Sequence, residues 1–447
     1  MFDFILRNGQ VVSPAGAETR DLAITDGRIT ALLRRGEEAS AREILDLGGQ
    51  IVLPGLVDAH VHFREPGLVY KEGFESGSAA AAAGGVTTVM VMPTDNPMTT
   101  TPDLFLEKKE LADGHTHVDY ALQAGLGPDV THVRALAELG AISFEVFMSD
   151  LAPPMLTDRS SDLLAVLKAV REAGAVAGIT PGDDSIVQAM TAAEGKAISD
   201  RRSFMRTRPT VAEAIGLARA CVAVRHVGVE AHIRQISCAD SVSVLRALAP
   251  RHLSSEVTPH NLWLAEDELV RQGPVAKVVP PLRPQADLEA VREALREDIV
   301  QMVATDHAPH TAQEKLAGTD DITKAPGGFP GVQTFLPVLL RLVGEGVLTY
   351  QDLARVGSRA PARRFGLFPR KGTLQVGSDA DIVVIDPRRP FTVRNADQLS
   401  KAAMTPFDGM AVPATPAMVF LRGTKIAQDG KLVDGRVKRG KFIARPK

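Results

Sequence analysis

Cysteine is almost absent: Cys221 and Cys238 are the only two in 447 residues. Two cannot build a disulfide framework, so they read as ordinary buried thiols in a reducing, cytoplasmic setting. Charge of one sign is also missing. Fifty-one Lys and Arg face 54 Asp and Glu, a net charge of −3. That excludes a basic excess for nucleic acid and a polybasic run for an anionic membrane. The longest weakly polar stretch, Ala79 to Met92, is broken by Gly84, Gly85, Thr87 and Thr88. It is shorter than the ~20 residues that span a bilayer. The opening MFDFILRNGQVV lacks the charged start and apolar core of a signal peptide. What is present, 45% apolar and 23% charged residues, is ordinary for a globular chain. The length allows one large domain and a smaller one.

Both ends read as β-structure. FDFILRNGQVV predicts a short strand pair around Asn8-Gly9, and DLAITDGRITAL a hairpin at Asp26-Gly27. Near the other end, GTLQVGSDADIVVIDP and AMVFLRGTKIAQDGKLV are short apolar runs punctuated by Gly, Asp and Pro. Residues 1–53 and 369–447 are therefore expected to build one composite β-sandwich domain. Between them, residues 54–368 alternate apolar runs with helical patterns. VTTVMVMP, HVDYALQAG, AISFEVFM, AVAGIT, EAHIRQIS, HLSSEVTPH, AKVV and IVQMVATDHAPH read as strands, with helices such as SIVQAMTAAEGKAI between most of them. Such alternation predicts a parallel sheet, and about eight units suit a (β/α)₈ barrel of the TIM type. An open doubly wound sheet is the rival, weakened because no glycine-rich dinucleotide or P-loop fingerprint follows the first strand.

Asp58-Ala59-His60-Val61-His62 ends the first apolar strand. Residues two apart in a strand share a side, so His60 and His62 should face the barrel interior where such barrels place their active sites. Paired imidazoles suit zinc. Asp306, in ATDHAPH at the end of a late strand, should reach the same rim. It could complete a three-ligand site, take a proton from water, or merely cap the following segment. Arg64, two residues past His62, is suited to a carboxylate, or to a salt bridge with Glu65 or Glu72. His310 could bind an anion or cap a loop. His115 and His117 form a second HxH, but before their strand, at what should be the opposite rim. The alanines from Ala79 to Ala83 read as helix packing.

In combination, GLVDAHVHFREPG, KEGFESGSAAAAAGGVTTVMVMP, EVTPHNLWL, KVVPPLR, ATDHAPHTAQEK and APGGFPGVQT resemble the dihydroorotases of the amidohydrolase superfamily, over nearly the whole chain. The resemblance implies a zinc-dependent barrel with a composite β-sandwich. It also implies interconversion of dihydroorotate and N-carbamoyl-L-aspartate in pyrimidine biosynthesis. His60, His62 and Asp306 match the family's first metal site, and Arg64 and His310 its carboxylate-binding pair. Other positions depart. Relatives carry a bridging group on the fourth strand, often a carboxylated lysine; here Glu145 stands there, with Asp150 as the alternative. The fifth-strand metal histidine is Thr180, and the second histidine of the sixth-strand pair is Gln235. The substrate-binding asparagine of the MPN segment is Thr94, with Asn96 two residues on, and that of the NPPLR segment is Val279. A two-metal centre is thus not expected, and at most one zinc is.

Three readings follow. One is a single-metal cyclic amidohydrolase with Asp306 as proton shuttle and Arg64 and His310 on a carboxylate-bearing cyclic amide. Another is a non-catalytic dihydroorotase-like subunit that supports aspartate carbamoyltransferase. The third is an allantoinase- or hydantoinase-like hydrolase of another cyclic amide. A homo-oligomer is the expected assembly.

Overall fold

The computed structural model describes residues 1–195 and 199–445; the last three residues of the helical pattern at 185–198 and the last two of the chain lie outside it. Strands Leu56–Val61, Val86–Val91, Asp119–Leu122 (continued by Ala124–Gly125), Phe144–Phe147, Ala177–Thr180, Ala231–Ile233, Leu253–Val257 and Met302–Val303 pair in parallel, in chain order. The ring closes between its first and last members: Val61 bridges His307, and Asp58 accepts hydrogen bonds from the backbone N–H and hydroxyl of Thr305 at 3.0 and 2.5 Å. This is the TIM-like barrel expected from the alternating pattern.

One apolar run departs from the expectation. AKVV (residues 276–279) forms no strand. Pro274 and Pro280 bracket it, which disfavours a ladder. Buried Lys277 instead reaches sideways, its Nζ donating to the carbonyls of Ile322 and Ala325 at 2.8 and 2.5 Å.

Small side chains fill the lower barrel: Val57, Ala59, Met90, Ala121, Met302 and Ala304 pack onto Phe365 and Leu367. That economy of volume leaves room for a polar layer above. The helix Phe74–Ala83 buries its whole alanine run, as expected. Gly77 is required there, since a Cβ would lie 2.5 Å from the Phe63 ring. No helix among the described residues is long and apolar enough to cross a membrane.

Both chain ends supply the additional β domain. Its sheet runs Lys431–Leu432, Thr424–Gln428, Thr415–Leu421, Ile382–Asp386, Ile51–Pro54, Phe2–Ser13, Gly16–Thr25, Arg28–Arg34, with Ala41–Asp46 also on Phe2–Ser13. The two ends meet where Ile382–Asp386 pairs antiparallel with Ile51–Pro54. Ile382 and Val384 face a core with Leu6, Leu22 and Phe420, while Val383 and Ile385 face the barrel. This period of two explains why the whole strand is apolar.

The hairpin at Asp26-Gly27 forms as read, with φ of 51° and 74° and Thr25 opposite Arg28. The strand pair around Asn8-Gly9 does not. Phe2–Ser13 is one strand with a register shift between Leu6 and Gly9. Asn8, at φ 56°, absorbs the irregularity as a bulge, its backbone N–H on Asp21 and its side chain on Asp46.

Sheet and barrel are joined by a buried lysine. Lys371 Nζ lies 2.5 Å from Asp119 of the third barrel strand, 2.6 Å from Asp381 and 3.0 Å from Asp379. These carboxylates are close enough together to suggest a cation site, and the lysine ammonium is within bonding distance of all three. Lys371→Met would leave them buried and mutually repelling. The expected cost is ~3–5 kcal/mol, read as a lowered urea midpoint.

Candidate active site at the carboxyl end of the barrel

The first strand delivers both histidines to one side, with ring centroids 5.2 Å apart. Each uses Nδ1 as an anchor. His60 Nδ1 donates to Glu256 Oε1 at 2.6 Å, and His62 Nδ1 is hydrogen-bonded to the Thr94 hydroxyl. Both Nε2 atoms therefore converge on Asp306 Oδ1, at 3.3 Å from His60 and 3.0 Å from His62. The Asp306 Oδ2 atom accepts from Gln235 Nε2 at 2.6 Å.

Burial pushes the Asp306 carboxyl up, but the neighbouring histidines, His60 first, outweigh it and hold it at about 2. Burial drives His62 down to about 3. On His60 burial acts downward as well, but Asp306 and Glu256 on either side raise it above its ordinary value.

The rim is held in unusual backbone conformations. Arg64, Asp150, Gln235 and Asp306 all have left-handed φ, between 49° and 62°. Such conformations cost on the order of 1 kcal/mol each and persist where surrounding structure imposes them.

His60, His62 and Asp306 thus form a cluster whose ligand atoms lie within 4.8 Å of one another. Two imidazole nitrogens and a carboxylate fit one divalent ion with a coordination position to spare. The same residues do not fit a second ion. The structure places neither Glu145 nor Asp150 in the cluster, a correction to the expected ligand set. Glu145 is turned to Arg234, with Nε–Oε2 at 3.0 Å and Nη2–Oε1 at 2.8 Å. Asp150 is paired with Arg208 at 2.6 Å.

Thr94 lines the cavity, and its hydroxyl is hydrogen-bonded to His62. Asn96 is exposed and does not line the cavity; its backbone turns against Gly67 instead, where a Cβ would lie 1.7 Å from the Asn96 carbonyl oxygen. Thr180 and Val279 do line it. His115 and His117 lie away from the cluster, before the third strand and near Glu75.

A cavity of about 510 Å³ opens above the cluster, lined by His60, His62, Asp306 and Arg64 on one side and by Phe147, Leu151 and Phe204 on the other. Arg64 is a cation without an anion. Among the described residues no carboxylate comes within 4.0 Å of it, and its buried Nε has no hydrogen-bond partner. Glu65 is spent on the backbone N–H of Phe74, and Glu72 on Ser76 and Ser400, so neither forms the alternative salt bridge. His310 Nε2 sits 3.4 Å from Arg64 Nη2, with Lys71 Nζ 3.2 Å from its other nitrogen. Burial, and then these cations, push His310 down to about 2, so it stands neutral beside Arg64.

Several participants were not foreseen from the sequence. Arg234, Glu256 and Gln123 make up the polar layer beneath the histidines. His260 is buried with an unpartnered Nε2, and burial, only partly offset by Asp306, pushes it down to about 4. Lys315 Nζ ties down the loop beside the cavity through the carbonyls of Lys277, Pro326 and Gly328. The only signals available were TPH after the seventh strand for His260 and two lysines in otherwise apolar or turn-rich surroundings.

The model of the amidohydrolase family matches residues 51–433. The chain belongs to the amidohydrolase family. It is 33% identical to an L-hydantoinase of Paenarthrobacter aurescens over 444 residues, covering 97% of this chain and 96% of that protein. It is 36% identical to a dihydroorotase of Methanothermobacter thermautotrophicus over 445 residues, covering 99% and 97%. An allantoinase of Rubrobacter xylanophilus is 35% identical over 452 residues, covering 99% and 97%. Among solved structures, the L-hydantoinase from Arthrobacter aurescens superposes with a TM-score of 0.94 at 31% identity, covering 100% of both chains. Three differently named activities at similar identity set the family without choosing among them.

In this amidohydrolase, Gly178 of the fifth strand lies in register with Glu145, and a Cβ there would come within 2.2 Å of the Glu145 carboxylate. Gly178→Ala is therefore expected to displace Glu145 from Arg234. The loss should be about 1–3 kcal/mol of stability, checked by urea unfolding.

Proposed function

We propose that this amidohydrolase opens and closes a carboxylate-bearing cyclic amide, with dihydroorotate and N-carbamoyl-L-aspartate of pyrimidine biosynthesis as its substrate pair, in a cytoplasmic setting. The observation that carries the reading is the pairing of two features in one cavity: the convergent His60, His62 and Asp306 atoms, and the Arg64 guanidinium, which has no carboxylate partner and a free Nε. Of the three activities named among the relatives, only dihydroorotate brings a ring carboxylate to satisfy Arg64. Hydantoin and allantoin rings carry none.

His60, His62 and Asp306 would hold a single ion, and zinc suits two imidazoles and a carboxylate. When bound, such an ion supplies Lewis-acid polarisation of a carbonyl and eases deprotonation of water. The protein's own part is positional. Arg64, which lies beside neutral His310, binds the substrate carboxylate and fixes the ring. Thr94 and Glu256 hold the two imidazoles with Nε2 inward. Asp306 accepts the proton of the attacking water at its carboxylate and returns it to the ring nitrogen as the amide bond breaks. In the reverse direction it removes that proton from the ureido nitrogen.

The test is interconversion of dihydroorotate and carbamoyl aspartate by the purified chain with added zinc, beside a His60→Ala control. Turnover present in the wild type and lost in the control is the expected result; no turnover by the folded wild type would sink the reading. Arg64→Met is expected to raise KM roughly 10- to 100-fold, the worth of hydrogen bonds to a charged group, with a smaller change in kcat.

A second reading is favoured by one observation: Gln235 is engaged with Asp306 at the rim and Arg234 with Glu145 beneath it, so neither is free for a second ion or a substrate. On it the chain is a non-catalytic subunit for aspartate carbamoyltransferase, and a stable complex in a pull-down with an inactive but folded chain would support it.

A further inference from the structure

Arg234 follows the sixth barrel strand and is wholly buried. A guanidinium has five N–H donors, and here each of them finds an acceptor. Nε donates to Glu145 Oε2 at 3.0 Å. Nη2 donates to Glu145 Oε1 at 2.8 Å and to Gln123 Oε1 at 2.5 Å. Nη1 donates to Glu256 Oε2 and to the Ala59 carbonyl, both at 3.0 Å. These acceptors come from the first, third, fourth and seventh strands, so the guanidinium sits at the middle of the barrel.

The acceptors are themselves fully engaged. Ser143 Oγ lies 2.7 Å from both Glu145 Oε1 and Gln123 Oε1, and its single proton is shared between these two acceptors. His232 Nε2 lies 2.9 Å from Glu256 Oε2, with its Nδ1 2.8 Å from Ser254. The other Glu256 oxygen holds His60. None of Arg234, Glu145, Glu256, Gln123 or His232 is among the buried side chains left without a partner.

We infer that Arg234 is a built-in cation that takes the place of a second metal ion, closing the inner half of the site to metal while leaving the His60–His62–Asp306 half open. The two carboxylates, amide oxygen and backbone carbonyl around it are hard oxygen donors, the ligand type a divalent ion prefers, but they are spaced around a guanidinium. The guanidinium already fills the space between them and repels a second positive charge. Gly178 supports the arrangement, because only the absence of a Cβ opposite Glu145 lets that carboxylate turn onto the guanidinium. The inference deepens the single-ion reading above but does not need turnover to be true.

The experiment counts ions. The full chain is equilibrated with excess Mn²⁺ or Zn²⁺, freed of unbound metal, and its metal content per chain measured by mass spectrometry. The wild type should hold one ion or none, and two would overturn the inference. Arg234→Ala empties that space, and the folded variant should take up one more Mn²⁺ per chain than the wild type. A folded variant with an unchanged count would overturn the inference as well. If Arg234→Ala does not fold, the wild-type count alone decides. The two proposals fail separately. A wild type with no ion whose variant gains one keeps the Arg234 assignment and removes the single-ion hydrolase. An active wild type holding two ions removes the Arg234 assignment and keeps the hydrolase reading, with two ions in place of one.

Discussion

Burying a guanidinium is costly unless every donor is met, and in this barrel the acceptors that meet Arg234 come from four different strands. The arrangement begins lower down, where Ala59, Ala121 and Ala304 occupy little of the barrel interior. The space they leave admits a polar layer that larger apolar residues would have filled. From Arg234 the order passes outward: Glu256 bridges it to His60, His60 and His62 meet at Asp306, and Gln235 holds the far oxygen of Asp306. Each link fixes the tautomer or orientation of the next, so the geometry at the rim is inherited from the barrel axis.

The two arginines of the site are treated differently. On the axis, Arg234 is shared between Glu145 and Glu256. On the rim, Arg64 faces the cavity with a neutral histidine beside it and no carboxylate partner. One cation is consumed by the fold and the other is left over. A half-buried cation left over in a cavity is what the proposed carboxylate-bearing substrate would meet. The same contrast separates Lys371, enclosed by three carboxylates between sheet and barrel, from Arg64.

Much of this was legible in the sequence because it depends on short-range regularities. The alternation of strands and helices yields the barrel. The spacing of His60 and His62 puts both on one side of a strand, and Asp306 and Arg64 follow from their places at strand ends. Asp26-Gly27 announces its hairpin. What was not legible depends on groups brought together from distant segments. Glu145 looks like a metal ligand until Arg234, two strands away, claims it. Nothing about Arg234 in HIRQIS marks it as the centre of the barrel, since its role is set by Ala59, Gln123 and Glu256. Asn8-Gly9 has the composition of a turn, and only the pairing of its strand with Gly16–Thr25 and Ala41–Asp46 makes it a bulge. Thr94 does line the cavity, but its hydrogen bond to His62 was not legible in the sequence.

The joining of Ile51–Pro54 to Ile382–Asp386 has a consequence for how the chain is made. During synthesis the amino-terminal strands emerge first, and the edge of Ile51–Pro54 stays unpaired until almost the entire barrel has followed. Closing so long a loop adds little entropic cost per residue but takes time. Throughout that interval an apolar edge strand is open to pairing with the wrong partner. Vectorial folding therefore cannot complete this sheet before the barrel, because the strand that seals Ile51–Pro54 is made only after the whole barrel.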